Sequence, residues 1–265
     1  MNADTKPARQ TLSMELQCLR KIFEFAVRKN LVMKGEVPSA RIPKMHHLAA
    51  QRRPAFSREE WDTLQLKLRD WPAQTNHASI QYRRKLLYAY TSIMGATGMR
   101  TNDAWKLQWK HIVEFKQSGR IYIEITAFGK PTSGKPSRAL TGQPHAVMCY
   151  QSWKRQSRYT EPDDFVFSYS KGVAWDPKHM LREALEEFGL LKDPISGENR
   201  TPYSIRHTYA TLRLEAGVPI HLLAKQMGTS VGMIEKHYGH VNLRKDVAKL
   251  AQSRSIPDEE WVREL

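Results

Sequence analysis

The sequence predicts an α+β domain, mostly helical, that carries one small three-stranded antiparallel sheet. Two observations lead there. Apolar residues recur at helical spacing through most of the 265 residues, whereas one stretch, "RIYIEITAFGK", alternates apolar and polar positions as a half-buried strand does. Hydrophobic residues make up 40% and charged residues 26%, a balance that builds a packed core and excludes global disorder. No internal repeat or low-complexity tract is present.

The elements follow in order. Residues 11–30 place Leu12, Leu16, Leu19, Phe23 and Ala26 on one face, an amphipathic helix whose apolar stripe needs a partner. Residues 34–55 hold three prolines, several basic residues and no period, as a linker or extended arm does. Ser57 and Glu60 form a capping box ahead of Trp61, Leu64 and Leu68. Residues 80–97 read as a buried helix that breaks in "GATGMRTND", where Gly95 and Gly98 stand. Ile121, Ile123 and Ile125 alternate with polar neighbours. With "HIVEF" before them and "PSRALTG" after, they predict the three-stranded sheet within residues 111–140. Helices are expected at about 141–157, 176–189, 203–216, 219–227, 230–238 and 243–252.

Charge narrows the function. Lys and Arg number 42 against 27 Asp and Glu, a net charge of +15, and the pI is near 9.8. A folded chain this basic meets a polyanion, with nucleic acid ahead of a membrane surface. Cys18 and Cys149 are far apart and fit neither a disulfide framework nor a zinc cluster; they read as two reduced thiols of a cytosolic protein. The first ten residues lack an apolar stretch, so no signal peptide is expected, and no apolar run is long enough for a membrane span. His46-His47 is a lone pair in the linker, and no cluster has metal-ligand spacing.

Chemistry concentrates towards the C-terminus. In "TPYSIRHTYATLRLEAG", Thr201 caps a helix whose core stripe is Ile205, Tyr209, Leu212 and Ala216. Arg206 and His207 are embedded beside that stripe. A cation at a core edge needs an anionic partner, and a phosphate would serve. Together with "HLLAKQMGTSVGMIEKHYGHV" this stretch resembles the C-terminal signature of the tyrosine recombinases, or phage integrases. That family usually shows His-x-x-Arg-His, then Leu-Gly-His, then a tyrosine nine residues after that last His. Here Arg206 and His207 match, Met227-Gly228-Thr229 takes the second place, and 229 + 9 = 238 falls on Tyr238. Upstream, "ATGMRTND" resembles the first arginine box, with Arg100 as its arginine and Asp103 in place of the usual Glu. The family's catalytic lysine sits on a β-hairpin turn. "ITAFGKPTSGKPSRAL" offers Lys130 there, with Lys135 as the alternative.

The resemblance implies a chemistry. Arg100 and Arg206 would clamp the non-bridging oxygens of a DNA phosphodiester, each worth about 10²–10³ in rate. Tyrosine, with a pKa of about 10, would attack when held in line and relieved of its proton. A lysine would protonate the departing 5′-oxygen. The bond energy stays in a 3′-phosphotyrosine, and the family accordingly uses neither ATP nor metal, so no cofactor is expected. Tyr203 stands where the family has its first His and Thr229 where it has its last. Both can hydrogen-bond a phosphate but shuttle protons poorly at pH 7, so His207 is the substitute candidate for the base.

The expected organisation is a remnant of the helical core-binding domain in 1–45, a linker in 46–54, a catalytic domain in 55–250 and a tail in 251–265. The resemblance further implies double-stranded DNA attachment sites, assembly into a tetramer on DNA and accessory DNA-bending proteins. It places the chain in a bacterial cytoplasm, nucleoid-associated or phage-encoded, without a membrane partner. Two other readings stand beside it: a decayed recombinase remnant, and a helix-turn-helix regulator. In the regulator, Gly228 marks the turn and Val231, Met233 and Ile234 lie on the second helix.

Overall fold

A computed structural model describes residues 9–39, 53–128, 136–142 and 144–238. The chain divides into two compact units, Met1–Ala49 and Ala50–Leu265. The first holds helix α1 (Arg9–Arg28) and a 3-10 turn at Lys34–Glu36. On the predicted apolar face Leu12, Leu16, Phe23 and Ala26 are half-buried, while Leu19 is exposed.

The second unit opens inside the expected linker. Pro54, Ala55 and Phe56 are buried, because the Arg200 Nε–H donates to Ala55 O at 3.1 Å and its guanidinium covers the Phe56 ring. Helix α2 (Arg58–Asp70) starts at the expected capping box. Ser57 Oγ accepts from Glu60 N–H at 3.1 Å, and Ser57 N–H donates to Glu60 Oε2 at 2.9 Å. Helix α3 (Ala78–Thr97) runs through the middle of the core and is enclosed for most of its second half. It stops at Gly98, whose φ of +65° ends the helix in the left-handed region and whose N–H reaches Met94 O at 2.9 Å. A Cβ at Gly98 would lie 2.2 Å from Cδ1 of Tyr209, so glycine is required there twice over.

A short helix, α4 (Thr101–Trp105), follows. Five residues are too few to show a period, so no pattern marks it in advance. Strands β1 (Ile112–Gln117), β2 (Arg120–Phe128) and β3 (Pro136–Gly142) then form the predicted antiparallel sheet in the order β1-β2-β3. Ser118 and Gly119, both at positive φ, make the two-residue turn whose twist matches the strands. The register pairs Ile112 with Ile125 and Ile125 with Leu140, and the side chains of Ile123 and Ile125 go inward. Ile121, at the start of the alternation, is exposed.

Helices α5 (Pro144–Gln156), α6 (Lys178–Glu187), α7 (Pro202–Glu215), α8 (Ile220–Met227) and α9 (Val231–Tyr238) complete the described part. Helix α5 starts later than expected because Thr141 and Gly142 belong to β3. Ala216 caps α7 and is exposed, so the α7 core stripe ends at Leu212. The predicted helix at 243–252, the tail at 251–265, most of the linker and His46-His47 lie outside the described residues. Cys18 and Cys149 are free thiols. Among the described residues no helix is long and apolar enough to cross a membrane.

Apolar packing forms two clusters. The larger contains Phe56, Trp71, Leu86, Ile93, Trp153 and Phe167 and joins α2, α3, α5 and α6 to the sheet. The smaller consists of Tyr209, Ala210, Leu223, Ala224, Met227 and Ile234, from α7, α8 and α9.

Candidate active site

The first half of α7 is built to be buried. Pro202 occupies the first turn, where its missing N–H costs nothing, and Thr201 N–H donates to Ser204 Oγ at 3.0 Å. From Ser204 to Ala210 every residue is buried, Arg206 and His207 included. A buried guanidinium demands acceptors. Arg206 Nη1 donates to Gly98 O at 2.7 Å, and its Nη2 to Met227 O at 2.8 Å. Both acceptors lie where α3 and α8 stop, at carbonyls the helices leave unpaired and at the negative ends of their dipoles.

Arg100 is held in the same way. It precedes α4 in extended conformation and its Nη2 donates to Gly228 O. Gly228 ends α8 at φ +60°, as Gly98 ends α3. The two arginines therefore bond successive carbonyls, Met227 and Gly228, although they lie 106 residues apart in sequence (206 − 100). Asp103 is in the first turn of α4, its N–H bonded to Arg100 O at 3.0 Å.

A cleft of about 500 Å³ opens beside Arg206. Tyr203, Arg206, His207 and Thr229 line it, so it unites four of the residues singled out from the sequence. Tyr203 is 43% exposed and presents its ring to His207 edge-on, centroids 4.9 Å apart. Thr229 N–H donates to Ala224 O at 3.0 Å, which folds it back on α8. The far wall is α9, through Met233 and Ile234. Ile234 is buried in the smaller cluster, and Tyr238 follows it by one helical turn as the last residue of α9. Lys130 and Lys135 lie outside the described residues.

Tyr209 is the other tyrosine nearby. Burial pushes its hydroxyl up from the ordinary value of 10.0, against the opposing pull of Arg213, Gln226 and Arg206. Its ring packs on Gly98 within the smaller cluster. Of the three apolar residues named on the regulator's second helix, Ile234 and Val231 are spent on packing and Met233 is exposed. That face suits a helix held by its neighbours better than one that reads bases.

The groups that hold the arginines, the carbonyls of Gly98, Met227 and Gly228, were not legible in the sequence, nor was the Gln226 side chain that bonds Thr97 and Thr141 beside them. The glycines were visible as helix stops, but nothing local says that an arginine over a hundred residues away uses a stop's carbonyl. Arg200 was not legible either. That buried guanidinium contacts Glu60 Oε2 at 2.6 Å, Asp193 Oδ1 at 3.5 Å and Leu190 O at 2.9 Å, and its carboxylates mark it as structural.

Comparison with known proteins adds the family. The model of the "Phage integrase family" matches residues 71–245. Among curated proteins, the tyrosine recombinase XerC of Halalkalibacterium halodurans is 24% identical over 245 residues, covering 88% of this chain and 72% of the relative. The tyrosine recombinase XerD of Lacticaseibacillus casei is 23% identical over 256 residues, covering 92% and 76%. Among solved structures, the XerH site-specific recombinase in a pre-cleavage complex with its difH substrate superposes with a TM-score of 0.66. It is 18% identical, and the match covers 95% of this chain and 67% of that one.

Proposed function

The chain belongs to the phage integrase family, as a tyrosine-type site-specific recombinase, and we propose that it breaks and rejoins DNA through Tyr238. The Tyr238 Oη attacks the scissile phosphorus, the bond from phosphorus to the 5′-oxygen breaks, and a 3′-phosphotyrosine forms. The departing oxygen takes a proton from the hairpin lysine, Lys130 or its alternative Lys135. Arg100 and Arg206 hold the non-bridging oxygens, with Tyr203 and Thr229 as additional hydrogen-bond donors. His207, on the cleft wall, is the candidate to receive the tyrosine proton, and Asp103 supports Arg100. Attack by a free 5′-hydroxyl reverses the steps on a new partner strand and releases Tyr238.

One observation carries this reading. Arg100 and Arg206 converge on the carbonyls of Gly228 and Met227, and α9 leads from there to Tyr238. Double-stranded DNA as substrate is supported by the net charge of +15 and by the likeness to a site-specific recombinase bound to its difH substrate. The same reading gives catalysis to residues 55–250 and DNA binding in part to the helical residues 1–45. It includes a tetramer on paired attachment sites, bent where needed by accessory proteins. A nicked duplex carrying the repeats that border the gene tests it. The nick releases a short fragment on cleavage, so the covalent complex accumulates on a DNA 3′-phosphate. Absence of any such complex on every bordering sequence would refute the enzyme reading.

A further inference from the structure

Gln226 lies on α8, immediately before the two carbonyls that receive the arginines. Its side chain joins three segments and also hydrogen-bonds the Tyr209 side chain of the smaller cluster. Its Oε1 accepts from Thr141 N–H at 3.1 Å, and its Nε2 donates to Thr141 O at 2.8 Å and to Thr97 O at 3.2 Å. Among the described residues, strand β3 is an edge of the sheet, with one row of main-chain groups facing no further strand. A primary amide matches such an edge, because one side chain offers the acceptor and the donor that a neighbouring strand would offer. Thr97 O is the last helical carbonyl of α3, next to the Gly98 carbonyl that Arg206 uses. Neither α8 nor its carbonyls are held to the sheet by apolar packing of comparable specificity: the smaller cluster contains no residue from β3.

We propose that Gln226 is a positioning residue for DNA cleavage. It sets α8 in register with β3 and α3, so that the Met227 and Gly228 carbonyls stand where they aim both guanidiniums. This rests on the assignment of Arg100 and Arg206 as phosphate clamps. A displacement of about 1 Å in such a clamp costs on the order of 10²-fold in rate, so the expected effect falls on chemistry and not on affinity.

The test is single-turnover cleavage of the nicked duplex by the full chain. Two quantities are read: the fraction of protein finally trapped, which counts competent molecules, and the rate constant of trapping. Gln226→Met keeps length and removes every polar atom. It should lower the rate constant about 10–100-fold while the trapped fraction and the DNA Kd stay near wild type. Gln226→Glu is isosteric, keeps the bond from Thr141 N–H and turns a carboxylate towards two carbonyl oxygens, and should be at least as slow. The Glu variant decides the matter if the Met variant does not fold. An unchanged rate constant, or a smaller trapped fraction at the wild-type rate, would show a structural role only and overturn the proposal. Failure of the wild type itself to form any covalent complex would instead remove the assignment on which the proposal rests.

Discussion

The two apolar clusters differ in more than size. The larger has a continuous interior of aromatic and aliphatic side chains wrapped around α3. The smaller has six buried residues contributed by three short helix segments. A cluster that small cannot fix its own orientation by apolar burial alone. The described side-chain hydrogen bonds across the seam are polar and specific: Arg206 to Gly98, Gln226 to Thr97 and Thr141, and Arg100 to Gly228. The arginines proposed to clamp phosphate thus double as part of the joint. A frame supplies stability, a small cap supplies the candidate nucleophile, and the arginines that would bind phosphate tie one to the other.

Removing that joint has the largest expected effect. Arg206→Ala should cut single-turnover cleavage by at least about 10²–10³-fold. It also strips the donor from two helix-end carbonyls, so thermal unfolding should register a loss of about 1–3 kcal/mol. Full activity in this variant would show that Arg206 is needed neither as a joint nor as a clamp. Arg200→Ala should show the opposite pattern. It leaves Glu60 and Asp193 without their cation inside the frame, at about 3–5 kcal/mol, yet should not slow cleavage by the molecules that remain folded.

Core truncations then separate frame from cap. Leu86→Ala should cost about 4 kcal/mol and Ile234→Ala about 2, the upper and lower parts of the usual range, because the small cluster can close over the gap. Equal losses in denaturant unfolding would argue that both clusters are packed alike. The smallest effect concerns Tyr90. Its hydroxyl is buried in the frame and has no hydrogen-bond partner among the described residues, so Tyr90→Phe should be neutral or stabilise by about 1 kcal/mol. Burial, with the Asp176 charge second, raises the Tyr90 pKa above its ordinary 10.0, and burial raises Tyr209 likewise. The folded state therefore favours the neutral phenols. Their contribution is complete below about pH 10 and is lost as pH rises towards the folded values, because the unfolded chain ionises first. Tyr90→Phe should flatten that alkaline decline, and an unchanged decline would assign it to other groups.

What the sequence disclosed follows from the range of the forces involved. Ser57 with Glu60, the alternating isoleucines and the left-handed glycines act within a few residues, and each marked its element within a residue or two. The spacing of Arg206, Thr229 and Tyr238 was legible because α7, α8 and α9 are consecutive. The seam was not. Gln226 meets Thr97 across 129 residues and Arg200 meets Glu60 across 140, and no local pattern announces either. Residues 54 and 55 looked like linker or extended arm because prolines break the period, yet they are buried beside Arg200, itself held by distant carboxylates.

If α9 delivers Tyr238 to phosphate held by Arg100 and Arg206, the covalent bond to DNA forms on that tyrosine. Peptide mapping of the trapped covalent complex, with Tyr238→Phe as control, reads this out. The expected result is a phosphotyrosyl adduct on Tyr238 and no adduct in the variant, whose stability and DNA affinity stay unchanged because phenylalanine keeps the ring. An adduct on Tyr203 or Tyr209, or cleavage that survives in Tyr238→Phe, would contradict it.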